Sequence, residues 1–401
     1  MKDKAMLLLF FILLLTIGIG YASLSTELDQ EGTVNIIGNT WNVYMHTILV
    51  DENSTVSATS GPTISGTTLN YSVTLSNPGD QYDFYVYVTN TGTLDAMVNS
   101  VTINGANSGN VTSSVTYWDD TPISANDKLA KNSTKILKVH TTYTGTSSSS
   151  TPLTISVSVP YRIATSGASE PSIAALTPSS FANDSWLVIL TSINNNNTSA
   201  YNVGDTKTIK MGTFGNQTIR IANKTACTTE VSQSACGFVL EFTGSITNHN
   251  MNSSNNNTGG WPESAMRSYL NSTVYNAMPE IVRSAIIDTT VVTGWPSGGE
   301  ATPNYSTDKL YLLAPQEVYS NWSASVSNNR DAAPTVSRQL DYYANNNTTT
   351  NTTLRKGNGA WWFRTPDATS TRNFLRVSRM GSWGQTNATS SSGTSPAFRL
   401  Q

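Results

Sequence analysis

Residues 359–385 read GAWWFRTPDATSTRNFLRVSRMGSWGQ and put three tryptophans and four arginines into a chain whose charged residues make up only 12%. Arg372, Asn373, Arg376, Arg379, Ser382, Trp383 and Gln385 are the residue types that recognition surfaces use: guanidinium forks, amides, a hydroxyl and a large ring. Between Arg355 and Arg399 about seven bases stand against the single acid Asp367. The chemistry expected there is non-covalent capture of a glycan, a wall polymer or a protein. A solvated hairpin is the competing reading, because polar and charged runs usually face water.

Bond-making chemistry has little to stand on. His46, His140 and His249 are far apart in the chain, and no HExxH, GxSxG, Walker or GxGxxG pattern occurs. Residues 306–309 spell SxxK, but without its partner motifs and overlapping the strand expected at DKLYLL. No metal site is expected, since Cys227 and Cys236 have no third or fourth ligand at a matching spacing. Asp119-Asp120 is a weak calcium candidate whose usual fate is solvation, and no cofactor is implied. Nucleic acid is an improbable partner for so small a basic patch. The two cysteines are expected to pair and close a hairpin between TIRIANKTAC and CGFVLEFTG.

Trp261, Trp361, Trp362, Arg364 and Phe398 are expected to be structural, the rings filling a core and the arginine satisfying buried carbonyls and carboxylates. Trp361 and Trp362 are adjacent. On a strand they point to opposite faces, so one of them should meet a different environment, solvent or a ligand. Trp261 and Arg267 are six residues apart, a spacing that does not share a helix face, so they are not paired as a site.

The elements that must hold these residues divide the chain in two. Residues 23–165 carry about 11 acids and 5 bases, whereas residues 166–401 come out near +2. The first part alternates short Thr-, Val-, Tyr- and Ile-rich runs with turn signals, which predicts an antiparallel β-sandwich, jelly-roll or Ig-like. In YDFYVYVTN, Phe84, Val86 and Val88 should face one side and Tyr85 and Tyr87 the other, as in a central strand. Residues 166–185 read as a flexible linker. Residues 186–401 read as an α+β domain that opens with strands and continues through two short helices broken near residues 271–273, with Pro262 in the first turn. The whole is mainly β. Lys2, Lys4 and the apolar run 6–19 read as an export signal cut after Ala22, with an uncleaved anchor as the alternative. Low charge and abundant Ser, Thr and Asn agree with a secreted or cell-surface protein.

Two resemblances sharpen this. GYASLSTELDQEGTVNIIGNTWNVYMHTI and PGDQYDFYVYVTNTGTLDAMV resemble camelysin/TasA-like secreted surface proteins, which implies a jelly-roll-like or Ig-like sandwich at the cell surface; no protease constellation accompanies it. Self-association through the N-terminal domain belongs to the structural alternative. HNMNSSNNNTGGWPESAMRSYLN, STDKLYLLAPQEV, GAWWFRTP and SPAFRL resemble a domain-of-unknown-function family of Gram-positive bacteria, with WWFRTP where the pattern reads WWLRSP and SPAFRL where it reads RPAFRL. That resemblance implies a C-type-lectin-like fold. The function expected of the whole chain is ligand binding or adhesion at the cell surface, against the alternative of a structural matrix protein.

Overall fold

The computed structural model describes residues 39–106, 109–296, 304–322, 337–352, 356–357 and 359–401. The proposed signal and its cleavage point lie outside the described residues, within which no helix is long and apolar enough to cross a membrane.

In the first half the chain forms β1 (Val43–Val50), β2 (Ala58–Ser65), β3 (Thr68–Leu75), β4 (Gln81–Asn90), β5 (Ala96–Val98), β6 (Thr102–Asn104), β7 (Val111–Tyr117), β8 (Lys128–Leu129), β9 (Ser133–Tyr143), β10 (Thr151–Ser158) and β11 (Tyr161–Ile163). One sheet runs β1-β4-β9-β7, a second β2-β3-β10-β6, and a small third β11-β5-β8, all antiparallel. The alternation in β4 decides how they stack. Phe84, Val86 and Val88 are fully buried and meet Leu69, Tyr71, Val73, Ile155 and Val157 of the second sheet, with the Tyr71 and Phe84 rings 5.2 Å apart edge to face. This is the sandwich expected, with β4 inside its sheet. Tyr85 and Tyr87 point the other way and pack into the core of the second half of the chain.

Residues 166–185 form no named strand or helix, only an isolated bridge from Ser169 to Asp127, and they are not free. Lys128 N–H donates to Ser169 O at 2.8 Å, Ala174 N–H to Asp119 Oδ2 at 2.6 Å, and Asp184 accepts from Ser179, Ser180 and Tyr201. Phe181 is buried. The segment is strapped to both halves by hydrogen bonds that composition does not announce.

The second half opens with a helix, not with strands: α1 (Trp186–Asn194), capped by the Ser185 hydroxyl on Val188 N–H. WLVIL is apolar without a break because the helix is buried on most of its circumference, which removes the 3.6-residue signature. The remaining elements are β12 (Thr206–Lys210), β13 (Asn216–Asn223), β14 (Phe238–Phe242), β15 (Thr247–His249), α2 (Ala265–Tyr269), α3 (Glu280–Ala285), β16 (Thr289–Thr293), β17 (Asn304–Asp308), α4 (Pro315–Val318), α5 (Asp341–Asn345), β18 (Trp361–Pro366), β19 (Asn373–Val377), β20 (Trp383–Asn387), β21 (Ser392–Thr394) and β22 (Ala397–Leu400). They build a four-stranded sheet β12-β13-β14-β22, a five-stranded sheet β15-β21-β18-β19-β20 and the ribbon β16-β17. Cys227 and Cys236 are bonded across the turn between β13 and β14, as expected, a closure contributing about 2–3 kcal/mol for so short a loop.

The helical region departs from expectation in two details. The N-cap is Ser264, which accepts from Arg267 N–H, so Pro262 and Glu263 precede the helix. The chain also stays helical through residues 271–273 as a π-helical turn, Leu270–Val274, and breaks later at Pro279, the N-cap of α3. Asn271 explains the turn. Its amide donates to Arg267 O and Leu310 O while its oxygen accepts from the N–H groups of Lys309 and Leu310, clamping the helix to the segment after β17.

Candidate functional site

The motif residues are spent inside the fold. Trp261, Trp361, Trp362, Arg364 and Phe398 are 0–1% exposed. Neither of the adjacent tryptophans reaches solvent, which corrects the expectation for that pair: β18 is covered on both faces, and Trp362 Nε1 donates to His249 O at 2.8 Å. Trp261 and Arg267 do act together. Trp261 lies before the helix, so the helical-face argument does not govern it, and both converge on buried Asp308, Trp261 Nε1 at 2.8 Å from Oδ2 and Arg267 Nε at 2.5 Å from Oδ1. Asp308 was invisible to sequence reasoning because acceptor and donors come from motifs some 40 residues apart.

Arg364 is held by Glu317, with Nη1 and Nη2 each 2.7 Å from a carboxylate oxygen, and also donates to the carbonyls of Leu312 and Val292. A third buried group joins Glu241 to Arg220 Nε (2.7 Å), Lys356 Nζ (2.5 Å) and the Tyr343 hydroxyl (3.0 Å). The first two networks tie one motif to another, and the third ties β13 and β14 to α5 and Lys356; none of them calls for a ligand.

The polar residues between the motifs form the β19–β20 hairpin at the edge of the five-stranded sheet. Its turn is closed by Ser378 N–H on Ser382 O (2.7 Å) and Gly381 N–H on Ser378 O (3.0 Å), and Gly381 takes a positive φ of 89°. The register sorts the candidates. Asn373 faces Asn387, Leu375 faces Gln385 and Val377 faces Trp383, so Asn373, Trp383 and Gln385 share one face; Arg376, opposite Gly384, is on the other. The seven candidates are therefore not one patch. Trp383 is half-buried, its ring edge-on to Trp322 at 5.3 Å, and serves packing. Ser382 closes the turn through the Ser378 hydroxyl at 3.1 Å. Arg372 and Arg379 are exposed, as is Gln385.

Arg376 is the unusual member. It is partly buried, Nη1 reaches Ser392 Oγ at 3.3 Å, and its buried Nε has no hydrogen-bond partner among the described residues. Burial and the like charge of Arg379 both press its pKa downward. Among the described residues no carboxylate lies within ion-pair distance of Arg372 or Arg376. Gly384 leaves the space over Arg376's cross-strand neighbour open. Ser392, found only in the structure, and His249, which pairs with Ser392 across β15–β21, extend this face.

The sandwich holds a second cluster. Asp83, His140 and Ser114 are successive cross-strand neighbours on one sheet face, and His140 Nδ1 is 2.6 Å from Asp83 Oδ1. The order is that of a nucleophile relay, but no hydrogen bond joins Ser114 to His140, and the bond to Asp83 raises the His140 pKa, favouring a cationic imidazolium over a base. It is an ion pair. A histidine whose folded pKa is raised contributes stability that is complete below the unfolded value of about 6.5 and lost as pH rises through the folded value. His140→Gln should flatten that part of the thermal-stability profile above pH 6; an unchanged slope in melts from pH 5.5 to 8.5 would remove the assignment. Asp119 and Asp120 are engaged by Ala174 N–H and Lys138, and no metal-binding group of three or more His, Cys, Asp or Glu occurs among the described residues.

The model of a protein family described as "Domain of unknown function (DUF6273)" matches residues 228–401. The match contains every motif residue buried above and the hairpin between them, and it leaves the sandwich and α1 outside. No curated protein and no solved structure matches the chain.

Proposed function

We propose that this is a secreted or cell-surface binding protein, a sandwich stalk carrying a C-terminal recognition unit whose β19–β20 hairpin engages an anionic glycan or wall polymer through Arg372, Arg376 and Arg379. The observation that carries the reading is Arg376: a partly buried guanidinium beside a like charge, with Nε unsatisfied and no carboxylate in reach among the described residues. An anion at the guanidinium would offset the like charge of Arg379 and form charge-assisted hydrogen bonds with the arginine forks of the hairpin. Arg376→Gln/Arg379→Gln should weaken retardation of the full chain in gels containing poly(glycerol phosphate) by about tenfold in apparent Kd, and added salt should weaken the parent in the same way. Equal retardation of parent and double variant sinks the proposal. Binding to protein-coated but not polymer surfaces would redirect it to a protein ligand.

The alternative, a matrix protein assembling by strand addition, finds a guarded edge at β2, which carries Pro62 and two register shifts against β3.

A further inference from the structure

The two halves of the chain enclose a crevice of about 560 Å³ between the outer face of the β1-β4-β9-β7 sheet, the strap and the C-terminal end of α1. We propose that this crevice is a second ligand site, independent of the hairpin, and that it takes a neutral saccharide ring.

The volume lies within the range of about 300–1,000 Å³ typical of small-molecule sites, which favour domain interfaces. The walls set the class of ligand. Tyr87 and Trp118 present rings, and Ile136 and Leu176 complete an apolar floor. The rim is polar but carries no uncompensated charge. Lys135 is the one lysine or arginine lining it among the described residues and is 3.4 Å from Glu170. No carboxylate lines the space among the described residues.

Hydrogen-bonding capacity is distributed unevenly around it. His46 is already used, Nδ1 at 2.9 Å from Thr47 Oγ1 and Nε2 at 2.8 Å from Thr89 Oγ1, so it offers only a ring face. The Tyr87 hydroxyl and Thr191 Oγ1 are 3.4 Å apart and bridge the two halves at the back. The side-chain amides of Asn194 and Asn195, both exposed, remain, together with the half-buried Trp118 indole N–H; none of these groups hydrogen-bonds to another described residue. Aromatic and aliphatic walls with amide and indole donors, and no net charge, match a ligand that is apolar on its ring faces and hydroxylated at its edges. That is a pyranose. A fatty chain would leave the amides without partners, and an anion would find no free cation.

The test is calorimetry of the full chain with cellohexaose, xylohexaose and chitohexaose. At least one should bind, Trp118→Ala should weaken it by about tenfold, and Asn194→Ala/Asn195→Ala, two exposed positions that leave the core untouched, should weaken it severalfold with an unchanged melting temperature. Arg376→Gln/Arg379→Gln should leave it unaltered, which separates this site from the hairpin. Failure of all three oligosaccharides to bind at millimolar concentration overturns the proposal. So does binding that survives both the Trp118 and the Asn194/Asn195 variants.

Discussion

Glu317→Ala is expected to lower the stability of the C-terminal unit by about 3–5 kcal/mol, the cost of leaving a buried charge without its partner. Glu317 is 0% exposed and takes five donors: both terminal nitrogens of Arg364, the Ser337 and Ser234 hydroxyls and Ala314 N–H. Without it, Arg364 loses its counter-charge and keeps only neutral acceptors among its described partners, the carbonyls of Leu312 and Val292 and the Ser234 hydroxyl, for a guanidinium sealed from water. Arg364→Lys should also be costly, because an ammonium cannot span both carboxylate oxygens and two carbonyls at once. Glu317→Ala/Arg364→Met should cost less than the single Glu317→Ala, since no charge remains buried. Urea unfolding followed by tryptophan fluorescence measures all three. A Glu317→Ala loss below about 1 kcal/mol would mean that water reaches Arg364.

The sandwich was legible because its strands have one face in the core and another that is different, so a period of two survives in the sequence. β4 is the clearest case: Phe84, Val86 and Val88 line the core, and Tyr85 and Tyr87 dock the second half. The disulfide hairpin was legible from two cysteines flanked by strand-like runs. What failed to show follows one physical pattern. α1 is buried nearly all round, so its apolar run has no helical period to read. The strap at residues 166–185 is held by backbone groups and short polar side chains, which look the same in a flexible linker. The partnership of Trp261 with Arg267 needs Asp308, whose nearness is a matter of tertiary structure, not of spacing along a helix.

The candidate site was half legible. Composition located the cation-rich segment and the competing hairpin reading, and the structure makes it a hairpin. Composition could not assign faces, because the phase of alternation depends on where the turn falls. Ser378 and Ser382 set that turn, and with it Trp383 packs on Trp322 while Arg376 takes the opposite face of the hairpin. The signal that singles out Arg376, a buried Nε without a partner, exists only in three dimensions.

The second large effect is expected at Glu241. This carboxylate is buried between two cations, Arg220 from the neighbouring strand and Lys356, while the Arg220 guanidinium lies 3.6 Å from the centre of the Tyr342 ring. Burial works to raise the Glu241 pKa, but Arg220 and Lys356 outweigh it and hold it below the ordinary value. Burial, reinforced by Arg220, brings Lys356 down to about 8 despite Glu241. Both shifts give the same sign. A depressed carboxylate contributes stability above its unfolded pKa that is lost as pH falls through the folded value. A depressed lysine makes the unfolded chain bind more protons between about 8 and its unfolded value near 10.4, so stability rises with pH across that window. Glu241→Gln removes the only anion in the cluster among the described residues and leaves two buried cations, a loss of about 3–5 kcal/mol at pH 7. Glu241 holds the Lys356 pKa up, so its removal lowers that pKa further, and the loss should shrink from pH 7 to pH 9, where Lys356 is largely neutral with or without Glu241. Lys356→Met in the Glu241→Gln background should recover part of the pH 7 loss and abolish the difference between the two pH values. Urea midpoints for the parent, the single variant and the double variant at pH 7 and pH 9 decide the matter: a Glu241→Gln loss equal at both would show that Lys356 does not carry the pH-dependent share of this cluster's energy.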